Sequence, residues 1–363
     1  MFWLAGLMGM MVLGSVAVVT TPLKDDGEYD DDGDADGQGL LDAAAGVMDG
    51  LLSKLAPGDA GDATSGEVPP EEIAALAGKM TNLSEDFADT LPENTIAQGA
   101  AAGDSLIGGA GTDLLGGAAG DDLIDGLDGD DELMGGDGQD TLDGGGGNDT
   151  VHGESGDDSM AGGDGADVLF GHDGDDALWG DAGADSLNGG QGDDTLNGGA
   201  GADSLHGREG IDLLDGGTGT DALFGGDGND RLNGVVLDAS GADTDAGDFL
   251  NGGDGDDLMI IGQDDVATGG AGHDTFALGD WIMENASASL ADFDQAEDRL
   301  MVVYDDSDGA EDAELDIVTD QDNPQMMQIV VNGTVLAVLP ADAAPQVGNV
   351  VMVGSSMAHS FGL

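Results

Sequence analysis

The chain contains no cysteine. That excludes disulfides and thiolate metal sites and leaves stability to come from elsewhere. Basic residues are almost missing: 6 Lys+Arg stand against 77 Asp+Glu in 363 residues, a formal net charge of −71. A surface of that sign cannot neutralise phosphates, so nucleic acid is excluded as a partner. Aromatics make up only 4% of the chain, too few for an ordinary large core. Such acidity fits a solvated, unfolded chain, or carboxylates that hold a cation and are neutralised by it. Composition does not separate the two; periodicity does.

Long apolar runs are equally scarce. The exception is residues 1–21, uncharged and closed by Pro22 and Lys24. The run is long enough to span a bilayer but lacks a basic n-region, although Ser15-Val16-Ala17 has the form of a cleavage site. It reads as a membrane anchor, a cleaved signal or a segment buried against protein. Residues 22–98 read as an acidic linker carrying two short helices. One has the stripe Leu40, Leu41, Ala44, Val47, Met48, Leu51, Leu52 and Leu55; the other follows Pro69-Pro70 through Ile73, Leu76, Met80, Leu83 and Phe87.

What is abundant is glycine, 69 residues, and from residue 99 it falls into register with aspartate. Asp recurs every nine residues at Asp104, Asp113, Asp122, Asp131, Asp140, Asp149, Asp158, Asp167, Asp176, Asp185, Asp194, Asp203, Asp212, Asp221 and Asp230. Two residues after each stands an apolar side chain: Leu106, Leu115, Ile124, Leu133, Leu142, Val151, Met160, Leu169, Leu178, Leu187, Leu196, Leu205, Leu214, Leu223 and Leu232. Two residues before each, from Gly111 to Gly228, stands Gly. The period reappears at Asp248, 18 residues after Asp230, and at Asp257 and Asp274, with a copy one residue short over 261–268.

The clean copies Gly135-Gly136-Asp137-Gly138-Gln139-Asp140-Thr141-Leu142-Asp143 and Gly189-Gly190-Gln191-Gly192-Asp193-Asp194-Thr195-Leu196-Asn197 resemble the G-G-x-G-x-D-x-U-x nonapeptide of the RTX (hemolysin-type) calcium-binding repeat proteins. The resemblance is strong over 99–277, weak over 278–363 and absent over 1–98. It implies an all-β fold, a parallel β-roll in which two nonads make one coil with a short parallel sheet on each side. Each nonad divides into a six-residue turn and a three-residue strand, and the apolar residue of the strand points inward. Calcium takes six to eight oxygen ligands at about 2.3–2.6 Å. By the resemblance, one turn supplies half a shell from carbonyls and the Asp carboxylate, and the next coil supplies the rest. The metal ligands expected are the fifteen Asp residues above together with Asp248, Asp257 and Asp274. Equivalent carboxylates about 4.8 Å apart repel by roughly 3 kcal/mol per pair at an effective dielectric of 20. The roll is therefore expected to fold only on taking up several calcium ions.

Residues 278–363 lose the repeat but keep β character, and read as a cap on the open end of the roll. Asn332-Gly333 between Gln328–Val331 and Thr334–Leu339 is a hairpin signal. The low-charge end, Ser355 to Leu363, suits the uncleaved signal by which RTX relatives engage type I secretion machinery. Gly103-Asp104-Ser105-Leu106 spells an esterase string, but Ser fills a variable slot of the repeat, and neither G-x-S-x-G nor H-E-x-x-H occurs. The histidines, widely spaced in sequence, read as surface residues. Trp179, Phe170 and Phe224 occupy the ninth, outward slot of their nonads.

The reading is a non-catalytic calcium-binding protein, secreted or held at the cell surface, with a possible membrane tether through 1–21 and no identified protein partner. Its rivals are a calcium-dependent surface-layer or adhesion protein and a divergent secreted hydrolase. An ice-binding solenoid would need a regular Thr row, which Thr141, Thr150, Thr195 and Thr275 do not form.

Overall fold

The computed structural model describes residues 94–282, 286–304, 306 and 313–358. The apolar run at 1–21 and the two expected helices lie outside them. The described residues form an all-β solenoid whose successive strands, as far as Arg299–Tyr304, alternate between two sheets, of fourteen and twelve strands among the described residues.

Within the repeats each strand pairs in parallel with the strand one coil on. Leu178 stands beside Leu196 in one sheet and Leu187 beside Leu205 in the other. Eighteen residues per coil follows directly. Alternation along a strand sends the eighth residue of each nonad inward, where the two sheets face each other. All the periodic apolar residues are buried, with Leu106 the most accessible at 5%. They form one continuous stack with Leu250, Met259, Phe276 and Leu290.

The strands are longer than the expected three residues: Thr150–Ser155, Val168–Asp173 and Ser186–Gln191 are representative. The first three residues of the next nonad stay in the ladder, and only positions 4 to 6 turn the corner. Position 4 bends through left-handed backbone, as at Gly183 (φ 155), where an added Cβ would meet the carbonyl of Gly165. Only glycine fits there.

One coil is oversized. Leu250 pairs with Leu223 and Met259 with Leu232, 27 residues apart. The spacing alone puts Asp248 two repeats beyond Asp230; in the fold it follows Asp221, because the chain between Gly234 and Gly247 loops out of the coil. That loop is tied down by the amide of Asp243 to the carbonyl of Trp281 and by the Trp281 indole to the carbonyl of Ile261. The next coil is one residue short, with Phe249 beside Val266.

Both sheets continue past residue 277. Ala288–Leu290 and Arg299–Tyr304 each add a parallel strand. Val350–Gly354 then extends one sheet. The other ends in an antiparallel set, Thr334–Pro340, Met326–Val331 and Leu315–Thr319. The hairpin turns at Asn332 and Gly333, both at positive φ (52 and 87). Antiparallel strands present a different edge from the parallel coils and finish the sheet.

Candidate metal centres

The position-6 aspartates form two columns, one at each turn of the coil. One runs through Asp104, Asp122, Asp140, Asp158, Asp176, Asp194, Asp212, Asp230, Asp257 and Asp274; the other through Asp113, Asp131, Asp149, Asp167, Asp185, Asp203, Asp221 and Asp248. From Asp113 on, each is only 1–3% exposed. Asp104, the first of its column among the described residues, is half-buried.

Each carboxylate reaches back one coil. The amide of Asp104 donates to Oδ1 of Asp122, that of Asp149 to Oδ1 of Asp167, and that of Asp194 to Oδ1 of Asp212. The columns survive the irregular coils. The amide of Asp221 donates to Asp248, 27 residues on, and that of Asp257 to Asp274, 17 residues on. They also run beyond the expected set: Asp248 donates to Oδ1 of Asp265 and Asp274 to Oδ1 of Asp298. At the start, the amide of Thr95 donates to Asp113.

The second oxygen is different. For Asp122, Asp131 and every position-6 Asp through Asp230, and again for Asp248, Asp257 and Asp274, Oδ2 is buried and has no hydrogen-bond partner. A carboxylate oxygen out of water and unpaired is costly, and this one recurs at every level from Asp122 to Asp230; in Asp104 and Asp113 the same oxygen accepts from the amides of Ala100 and Gly109. It faces the position-1 glycine of its own turn. A Cβ placed on Gly144 would lie 2.5 Å from Oδ2 of Asp149 and 2.6 Å from the carbonyl of Gly162 in the next coil. The missing Cβ thus leaves an oxygen-lined cradle between successive turns, made of carboxylate and carbonyl. That donor set fits a hard cation such as calcium.

Electrostatics lead to the same conclusion. Without a cation, burial pushes the carboxyls of Asp131, Asp149, Asp176, Asp185 and Asp274 up to about 6, and those of Asp158, Asp194, Asp212, Asp221 and Asp257 up to about 7. The amide bond from the preceding coil opposes that rise, and column neighbours mostly add to it. Burial also raises Asp122, Asp140, Asp167, Asp203 and Asp230. These groups resist ionisation unless positive charge is supplied.

The oversized coil adds acidic groups that the nine-residue period does not reveal. Carboxylate oxygens of Asp221, Asp245 and Asp248 lie within 4.8 Å of one another. Oδ2 of Asp245 is also buried and unpaired. Beside them burial lifts Asp265 to about 8 and Asp248 to about 9. Asp265 was legible in principle, three residues before the end of the short copy as position 6 is in a full nonad; Asp243, Asp245 and Asp298 have no periodic signal.

A second, exposed ladder lies at position 5 and runs the other way. Oδ1 of Asp157 accepts from the amide of Asp175, and Oδ1 of Asp175 accepts from that of Asp193. Neighbouring residues therefore stitch each coil to the one before and the one after.

The family model of the RTX calcium-binding nonapeptide repeat, built as four copies, matches residues 93–124, 125–160, 152–187, 161–196, 170–205, 179–214, 206–234 and 262–280. The stretch it skips, 235–261, begins with the looped-out segment. Among curated proteins nothing matches the chain.

Proposed function

The chain is an RTX-repeat protein, with the calcium-binding nonapeptide over residues 93–234 and 262–280, and on that premise we propose that its position-6 aspartates are the calcium ligands of a roll that folds on calcium uptake. The observation that carries this is the buried, unpaired Oδ2 repeated along both columns. In each turn it would ligate an ion together with the glycine carbonyls that line the same cradle. Calcium supplies there the positive charge that lets these carboxyls ionise without leaving the protein interior.

The role is non-catalytic. Ser204 Oγ lies 3.3 Å from Nε2 of His206, a pair that suggests a nucleophile and its base. Burial and the neighbouring Arg208 lower the His206 pKa, however, and the ring stacks on Phe224. A charge-relay base has a carboxylate where His206 has arginine.

A roll that needs calcium belongs where calcium is millimolar, so the working location is extracellular or at the cell surface. The C-terminal end would serve type I export, and residues 1–21 would tether the chain to a membrane.

The test is a calcium titration followed by circular dichroism. The chelated protein should lack β-structure, and calcium should induce it cooperatively near 10⁻⁴–10⁻³ M, as in extracellular calcium modules. Magnesium, with tighter octahedral demands, should do so poorly. A fully formed roll in excess chelator at pH 7.5 would overturn the reading.

A further inference from the structure

The histidines read from sequence as separate surface residues do not all stay apart. The coil brings Nδ1 of His152 to 3.0 Å from Nε2 of His172, 20 residues away. The strands Thr150–Ser155 and Val168–Asp173 pair in register, with His152 opposite Phe170 and Glu154 opposite His172. Gly153 and Gly171 are buried between them. His152, Glu154, Phe170 and His172 therefore share one outward face. One ligating atom from each of His152, Glu154 and His172 lies within 4.8 Å of the other two.

Two further features set this place apart from the rest of the array. Glu154 and His172 occupy position 2 at φ 78 and 80, where Gly136 and Gly190 stand one coil to either side. Side chains enter that left-handed backbone only at a cost, and here two successive levels carry metal-ligating ones. Phe170 also packs on both rings, at 4.8 Å and 9° from His152 and 5.8 Å and 28° from His172. This fixes their planes, as a ligand site requires.

We propose that His152, Glu154 and His172 form a site for one divalent transition-metal ion of the zinc class on the outer face of the roll, separate from the calcium turns. Two imidazoles and a carboxylate suit such an ion, whereas calcium takes oxygen alone. Two nitrogens on one tetrahedral zinc stand about 3.3 Å apart, given bonds of about 2.0–2.1 Å. The nitrogens need to part by only a few tenths of an ångström, and the rings, 5.3 Å apart and 19° from parallel, to turn so that both lone pairs meet at the ion. Three protein ligands leave a fourth position open, and the ion would clamp two adjacent coils from outside.

The experiment uses the full chain in saturating calcium, with Zn²⁺ followed by calorimetry and Co²⁺ by its visible absorption. One equivalent should bind in the presence of excess calcium. His152→Ala and His172→Gly should each weaken binding at least tenfold and abolish the tetrahedral Co²⁺ bands. His206→Ala, a position-9 histidine further along the same sheet, should change neither. His172→Gly gives the left-handed position the residue that suits it, so circular dichroism should show this variant folding at least as well as the parent. Equal Zn²⁺ binding by the parent and His172→Gly would place the ion on the acidic turns and overturn the proposal. So would a parent that binds no Zn²⁺ once calcium is saturating.

Discussion

Asp149 and Asp167 stand one coil apart, and the amide of the first donates to Oδ1 of the second at 2.8 Å. Each such aspartate thus accepts from the coil before with one oxygen and, on the function proposed, offers the other to its own turn, so neighbouring sites would share parts.

Position in the column therefore sets the cost of losing a carboxylate. Asp167→Ala removes an acceptor from the buried amide of Asp149, worth about 1–3 kcal/mol, as well as an oxygen from the cradle. Asp104 is the first of its column among the described residues and is half-buried, and its carboxylate accepts from the amide of Ala100 in its own turn. Asp167→Ala and Asp194→Ala should raise the calcium midpoint clearly more than Asp104→Ala, as read by circular dichroism. Equal shifts in all three would contradict shared sites.

Protons should partly replace calcium. In the metal-free roll, burial holds Asp158, Asp194, Asp212 and Asp221 at about 7, against 3.8 for the ordinary carboxyl. The folded state keeps protons that the unfolded chain loses, so the stability these groups contribute is fully present below about pH 4 and is lost as pH rises through about 7. Chelated protein should show more β-structure at pH 4 than at pH 7.5. Calcium binding near neutrality should release protons, measurable in buffers of different ionisation enthalpy.

Much of this fold was legible because one residue type recurs at one spacing. The columns, the inward Leu stack and the Asn332-Gly333 hairpin follow from the periods of nine and two. The looped-out coil did not, since Asp248 keeps an 18-residue distance from Asp230 while stacking on Asp221; spacing records distance along the chain and not which turn is skipped. The strands proved longer than three residues because glycine carbonyls and amides continue the ladder without any side chain to announce it. The meeting of His152 and His172 depends on adding one coil to a two-residue step along the strand, a relation invisible until the coil length is fixed.

Filling a cradle should act like removing its ligand. In Gly144→Ala the new methyl group would crowd Oδ2 of Asp149 and the carbonyl of Gly162. Both are fixed by the coil and cannot retreat. The calcium midpoint should rise, and the transition should become less cooperative. Gly348→Ala, where a Cβ meets nothing within 4 Å, is the control and should match the parent.

The oversized coil should hold an ion of its own. Asp245→Asn keeps the acceptor for the amide of Gly219 but removes the charge beside Asp221 and Asp248. Equilibrium dialysis should then count one calcium fewer at saturation. Asp238→Asn, on the exposed part of the same loop, should leave the count unchanged.

Because a nonad is half a coil, the array has a parity. Losing or gaining a single nonad would move every residue downstream to the opposite sheet, exchanging the two Asp columns and carrying Trp179 to the face now held by Phe170 and Phe224. The oversized coil shows how the protein escapes that exchange: nine extra residues leave the coil as a loop, and Leu250 still meets Leu223. Lengthening or shortening of the gene by recombination between repeats is thus silent in steps of two nonads, and in odd steps only where the surplus can be shed to the outside.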